Sequence, residues 1–174
     1  MELWDLYDSE GRRTGKVVER GQRIPEGYCH LCVEIWIMNR NREVLLTQRN
    51  PDKWNYPLYW EATGGAVRAG ENSREGALRE AQEESGIHMK ERNLFYIGSY
   101  REDFWSMDTY IYLIEETEYP RLNLQKEEVA DARWVRIEDL CKEKKTIEGK
   151  IERFLGYSSK IMPIYEDFYG IRLG

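Results

Sequence analysis

A glycine-rich stretch that runs into a short, carboxylate-rich helix is the feature that most constrains the fold of this chain. Residues 61–71 read EATGGAVRAGE. Asn72 and Glu75 follow with the spacing of a capping box, which predicts a helix start. Gly86 suits the left-handed conformation that closes helices, so the helix is expected to end just before it. Small side chains form one face suited to close packing on a sheet: Ala77, Leu78, Ala81 and Ser85.

Three carboxylates share one turn of this helix. Glu80, Glu83 and Glu84 are spaced at i, i+3 and i+4, so their side chains lie on one face. A sequence tolerates their mutual repulsion on a solvated surface, and also where a hard divalent cation such as Mg²⁺ or Mn²⁺ takes oxygen ligands. The triplet alone leaves both interpretations open. Gly64 and Gly65 favour the second, because glycine lets a backbone group approach a metal ion or a phosphate closely.

The strand pattern predicts a mixed α/β sandwich. Apolar pieces on either side of a turn-rich segment predict an N-terminal β-hairpin at about residues 1–20. A weak helix is expected near residues 137–140, and a C-terminal helix at about 158–169. Only one helix is strongly indicated between strands, which argues against a regularly alternating parallel sheet. The remaining strands are expected at 29–38, at 43–49, twice within 94–116, and at 129–135.

Length and charge exclude several classes of protein. The 174 residues contain no linker-like tract, so a single domain spanning 1–174 is expected. The 26 basic and 32 acidic residues give a net charge of −6, which argues against nucleic-acid and membrane-surface binding. No apolar run approaches the roughly 20 residues of a membrane span, and no signal-peptide pattern opens the chain. With only three cysteines, the chain is expected to be cytoplasmic. Its oligomeric state is not indicated.

The glycine stretch and the helix together resemble the Nudix box. The segment from Gly65 to Ile87 reads GAVRAGENSREGALREAQEESGI, and its one departure is Ala81, which is small where a larger aliphatic residue is common. This resemblance implies the Nudix fold, an α/β/α sandwich around a mixed β-sheet. It also implies Mg²⁺- or Mn²⁺-dependent hydrolysis of a diphosphate linkage. The positions in register are Gly65, Glu71, Arg79, Glu80, Glu83, Glu84, Gly86 and Ile87.

The resemblance also implies roles for individual residues. Glu80, Glu83 and Glu84 would be the catalytic, metal-binding carboxylates, and Gly64 would offer its backbone carbonyl to the metal. Three further residues would support the loop–helix geometry rather than do chemistry: Gly65, Glu71 and Arg79. Arg79 suits this role because an arginine can hold carboxylates of the helix and the loop by bidentate pairs.

Hydrolysis also requires a base within reach of the attacking water. Glu80 is one candidate. Glu127 and Glu128 are others, because this acidic pair opens the strand expected at 129–135, and Glu128 is the favoured member. A solvated surface pair is the alternative interpretation of these two residues.

A weaker similarity extends in front of the box. The segments EVLLTQR and KWNYPLYWEATGG resemble a Nudix branch that includes isopentenyl-diphosphate isomerase. On this resemblance Arg49 and Lys53 would contact substrate phosphate, and an exposed basic residue at a strand end is the alternative interpretation of each. Trp54 belongs to an aromatic set that offers a stacking surface for a flat group or else packs in the core or the loop. The isomerase needs a cysteine shortly after the loop tryptophan, and residues 61–65, directly after Trp60, contain none.

These observations favour a hydrolase acting on a nucleoside diphosphate derivative or a similar small metabolite. An isomerase-like enzyme is one alternative. A Nudix-fold sensor that binds a diphosphate without turnover is another, which the complete set of three glutamates disfavours.

Overall fold

The computed structural model describes residues 1–115 and 120–172. Its mixed sheet is built around one long strand, β3, which pairs in parallel with β8 and antiparallel with β6 and β1. β4 joins β3 through a tight turn and pairs with β5 and β9, while β7 pairs with β8. The strands are β1 (Leu3–Tyr7), β2 (Arg13–Glu19), β3 (Cys29–Met38), β4 (Glu43–Arg49), β5 (Trp60–Glu61), β6 (Thr63–Ala66), β7 (Leu94–Arg101), β8 (Trp105–Leu113) and β9 (Val129–Arg136).

Helices cover both faces of this sheet. α1 (Ser73–Ser85) lies on one face, where its small residues pack with alternate side chains of β3 such as Val33 and Ile35. α2 (Lys150–Gly156) and α3 (Ser158–Tyr169) cover the other face. There the ring of Trp36 stacks on Phe154, with the ring centroids 4.0 Å apart. The expected α/β/α sandwich around a mixed sheet is confirmed.

The predicted boundaries of α1 are confirmed. The Asn72 side chain accepts a hydrogen bond from the Glu75 backbone at 3.0 Å, and the Glu75 side chain accepts one from the Asn72 backbone at 2.8 Å. Gly86 closes the helix in the left-handed region with φ 74°. Local chemistry therefore sets both ends of the helix.

The structure differs from the sequence-based expectation in three places. Strands β5 and β6 were not expected, because β5 has only two residues and β6 contains two glycines, which carry no side chain to show alternation. α2 was not expected, because its N-terminus at Gly149 has no side-chain cap. The weak helix is a 3-10 helix over Ile137–Lys142. The expected strand end at Glu116 lies outside the described residues.

β1 and β2 form an antiparallel hairpin, and the pairing of β1 with β3 joins this hairpin to the rest of the sheet. Leu6, Val18 and Ile24 form its small core. The Trp4 ring stacks on His30 with the ring centroids 4.2 Å apart. Within residues 1–115 and 120–172, no helix is long and apolar enough to cross a membrane. The single-domain organisation of 1–174 stays a prediction.

Candidate active site

Arg79 connects the glycine-rich loop to the carboxylate face of α1. Its Nε and Nη2 donate to the two carboxylate oxygens of Glu71 at 2.8 and 2.9 Å. Nη1 donates to Glu80 at 2.7 Å and to Glu83 at 3.1 Å. Nη2 also donates to the backbone carbonyl of Ala66 at 2.9 Å. Burial by itself would lower the pKa of Arg79, but the surrounding carboxylates have the larger effect and raise this pKa above its ordinary value. Arg79 is therefore a permanent cation.

The two glycines lie directly against two of the three carboxylates. The backbone N–H of Gly64 donates to Glu84 Oε2 at 3.1 Å. A Cβ atom added to Gly65 would lie 2.6 Å from the carboxylate carbon of Glu80. A Cβ on Gly64 would instead lie 2.1 Å from the Val33 carbonyl oxygen in β3. The neighbouring strand therefore requires glycine at position 64, whereas a side chain at position 65 would displace the Glu80 carboxylate.

Negative charge is concentrated around Glu84. Burial raises the pKa of its carboxyl well above the usual range, and neighbouring Glu80, Glu61 and Glu128 raise it further. Burial also raises the pKa of Glu80, and its pairing with Arg79 only partly offsets this effect. A bound cation would relieve this repulsion.

The donor set suits a hard divalent cation. Glu80 and Glu84 lie beside the backbone of Gly65 and Gly64, Glu83 belongs to the same helical turn, and Mg²⁺ and Mn²⁺ prefer such oxygen ligands. Among the described residues no three acidic, histidine or cysteine side chains converge into a preformed metal cage. Arg79 and Arg68 draw Glu83 into ion pairs, each at 3.1 Å. The oxygen ligands that these residues offer fit the metal that the resemblance implies, and Arg79 holds Glu80 and Glu83 in position.

The structure separates the two candidate bases in front of β9. Glu128 is half-buried, its carboxylate contacts the ammonium group of Lys53, and it lies close enough to Glu84 to raise the pKa of that group. The side chain of Glu127 is exposed. Glu128 is therefore the member of the pair that belongs to the carboxylate cluster, and its role as a base stays a prediction.

Arg49 braces the aromatic loop in front of the box. Its Nη1 pairs with Glu61 Oε1 at 2.6 Å, while Nη2 and Nε donate to the side chain and carbonyl of Asn55 at 2.6 and 3.1 Å. Tyr56 has a positive φ of 48° in this loop. Beside it Trp54 is 92% exposed. The substrate-binding roles of Arg49, Lys53 and Trp54 stay predictions, and Arg49 would have to exchange these partners to bind phosphate.

A buried ion-pair network behind the site was not anticipated from the sequence. Lys150 Nζ lies 2.6 Å from Glu61 Oε2 and 3.4 Å from Glu34 Oε1. Trp36 Nε1 donates to the other oxygen of Glu34 at 2.9 Å. Burial alone would raise the pKa of Glu61, but Lys150 and Arg49 hold it below its ordinary value. The available signal was Glu34 itself, an acidic residue within an apolar strand, which requires a buried partner.

The fold and this loop–helix site define the class of protein. Residues 30–155 match the sequence pattern of the NUDIX domain family. An uncharacterized Nudix hydrolase from Listeria monocytogenes is 36% identical over 143 residues, covering 80% of this chain and 83% of the relative. The chain therefore belongs to the Nudix family and is a hydrolase. Members of this family generally require divalent metal ions.

Solved structures show the same fold. DR0079 from Deinococcus radiodurans aligns with a TM-score of 0.71 at 18% identity, covering 89% of this chain and 98% of that one. A bifunctional NMN adenylyltransferase/ADP ribose pyrophosphatase from Francisella tularensis, complexed with AMP and a manganese ion, aligns with a TM-score of 0.59 at 16% identity. That alignment covers 75% of this chain and 41% of that one. The similarity to the isomerase branch stays a prediction.

Proposed function

We propose that this protein is a Mg²⁺-dependent hydrolase, with Mn²⁺ as an alternative ion, that cleaves a diphosphate linkage in a nucleoside diphosphate derivative or a similar small metabolite. The main support for this proposal is the position of Glu84. This residue accepts a hydrogen bond from Gly64 and has the carboxylates of Glu80, Glu61 and Glu128 near it. Such a concentration of half-buried negative charge is compatible with stable folding when a cation is bound among the carboxylates.

The proposal assigns the metal to Glu80, Glu83, Glu84 and the backbone carbonyl of Gly64. When bound, the ion would neutralise phosphate oxygens and lower the pKa of the attacking water. Arg79 holds two of these carboxylates in place through the contacts described above.

The remaining chemistry is assigned to the edge of the cluster. Glu128 would accept the proton of the attacking water, and its contact with Lys53 orients its carboxylate. Glu80 is the second candidate for this base. Lys53 and Arg49 would contact the phosphates of the substrate, and Trp54 would stack on its flat group. To do so, Arg49 would exchange its present contacts with Asn55 and Glu61 for the phosphate.

Activity measurements on charge-neutral variants test the proposal. Glu83→Gln and Glu84→Gln are each expected to lower Mg²⁺-dependent turnover by at least about 10- to 100-fold. This is the size of the effect that follows the loss of groups supporting metal ligands. Circular dichroism should show that both variants keep the fold. Glu91→Gln is the matched control, because Glu91 is exposed at the far end of the loop that follows α1.

The substrate panel should contain nucleoside diphosphate sugars, dinucleotides, nucleoside triphosphates and prenyl diphosphates, with release of phosphate or nucleotide as the readout. Isomerisation of a prenyl diphosphate without phosphate release would contradict hydrolysis. Ligand binding with no metal-dependent turnover of any compound would instead indicate a sensor.

A further inference from the structure

The N-terminal hairpin contacts the loop of the proposed metal site, although it lies outside the family match. The match begins at residue 30, whereas β1 and β2 lie within residues 3–19. The loop in question is a tight turn over residues 68–71, in which the Glu71 backbone N–H donates to the Arg68 carbonyl at 3.0 Å.

Asp5 supplies the central contact between hairpin and loop. Its carboxylate oxygen Oδ2 accepts a hydrogen bond from the Gly70 backbone N–H at 2.8 Å. Asp5 is 8% exposed, so this oxygen has little access to water. Arg13 of β2 lies 3.3 Å from the same oxygen and also donates to the backbone carbonyl of Glu71. The buried carboxylate of Asp5 therefore has a specific partner in the loop and another in β2.

The backbone of β1 adds a second attachment. The Leu3 carbonyl accepts from the Ala69 backbone N–H at 2.7 Å. Three consecutive loop residues, 69–71, are thus hydrogen-bonded to the hairpin. Gly70 has φ 90°, a conformation that needs glycine and that these contacts maintain.

The loop transmits these contacts to the carboxylates of α1. Glu71 is bound at both oxygens by Arg79, which in turn holds Glu80 and Glu83. We infer that the hairpin is a positioning element of the active site, in which Asp5 and Arg13 act through Gly70 and Glu71 on the metal-binding carboxylates. This inference rests on the proposed metal site, and it assigns a function to a segment that the family pattern does not include.

Binding of Mn²⁺ alone, followed by electron paramagnetic resonance of the free ion, tests this inference. Arg13→Met and Asp5→Ala are expected to weaken Mn²⁺ binding by about tenfold, the lower end of the effect of removing groups that support metal ligands. The matched controls are Arg12→Met and Asp8→Asn. These side chains pair with each other and with residues of the hairpin turn, away from the loop, and the variants should bind Mn²⁺ as the unmodified protein does.

Amide hydrogen exchange provides a readout that does not depend on the metal. In the metal-free protein, residues 69–71 should lose protection in Asp5→Ala and Arg13→Met but not in the controls. Asp5→Asn keeps an acceptor for the Gly70 N–H and should recover most of the affinity, which also covers the case in which Asp5→Ala fails to fold.

The outcomes separate the two proposals. If the unmodified protein binds no Mn²⁺, the proposed function fails. If it binds Mn²⁺ and the hairpin variants bind it equally well, the positioning role of the hairpin is wrong while the proposed function stands. Loss of loop protection with unchanged Mn²⁺ affinity would likewise overturn the positioning role.

Discussion

Lys150 and Glu61 form a buried ion pair that joins the helical layer to the strand in front of the glycine pair. Nζ and Oε2 are 2.6 Å apart, and each side chain is only 14% exposed. Glu34 lies 3.4 Å from the same ammonium group. Glu34 therefore depends on this lysine for its compensating charge, whereas Glu61 also pairs with Arg49.

Lys150→Met is expected to lower the free energy of unfolding by about 3–5 kcal/mol, because it leaves Glu34 buried without its cation and removes one of the two cations beside Glu61. Urea denaturation monitored by circular dichroism measures this change. Lys142→Met is the control, since Lys142 is exposed and forms a surface ion pair with Asp139, and its effect on the free energy of unfolding should be negligible. Equal stabilities for the two variants would show that the buried pair contributes nothing.

The two glycines should respond differently to alanine. Gly64→Ala brings a Cβ against the rigid backbone of β3 and is expected to destabilise the fold by about 1–3 kcal/mol or more. Gly65→Ala meets only the end of the Glu80 side chain, so it should displace that carboxylate and lower metal-dependent activity with a smaller loss of stability. Thermal unfolding and initial rates, measured on both variants, check this division. The assignment would be contradicted by full activity in Gly65→Ala.

His30 should make the stability depend on pH. Burial lowers its pKa to about 4, below its ordinary value of 6.5. The unfolded chain therefore binds the proton more readily, so this contribution to stability is present above pH 6.5 and is lost as the pH falls towards 4. From pH 7 to pH 5, the free energy of unfolding of the unmodified protein should fall by about 2 kcal/mol more than that of His30→Phe.

The measurement for His30 is urea denaturation at both pH values. His88→Phe is the control for replacing a histidine by phenylalanine, because His88 is exposed. An identical pH dependence in His30→Phe and the unmodified protein would rule out His30 as the cause.

Trp54 should affect substrate binding rather than folding. Its side chain is 92% exposed, so Trp54→Ala should change the free energy of unfolding by less than about 0.5 kcal/mol. For a substrate with a nucleobase, KM is expected to rise about tenfold with kcat unchanged, because stacking on an aromatic ring contributes about 1–3 kcal/mol per base. Trp54→Phe keeps a stacking surface and should retain most of the affinity. A diphosphate without an aromatic group serves as the control substrate. An equal rise in KM for both substrates would exclude stacking.

Local sequence patterns accounted for those elements whose ends have their own chemistry. α1 begins at the Asn72 capping box and ends at Gly86, and the alternating or apolar runs of β3 and β4 were located correctly. α2 was missed because Gly149 provides no cap and its seven residues are too few to show a clear period. β6 was missed because its strand character comes from pairing with β3, and glycines give no alternation.

By itself, the sequence determined the identity of the family and the grouping of three carboxylates on one helical turn, because both depend on spacing along a short segment. Only the tertiary structure decided which distant groups approach that turn. Glu61, Glu128 and the hairpin residue Asp5 come from separate strands or their ends, and their charges interact through space at distances that no local period encodes.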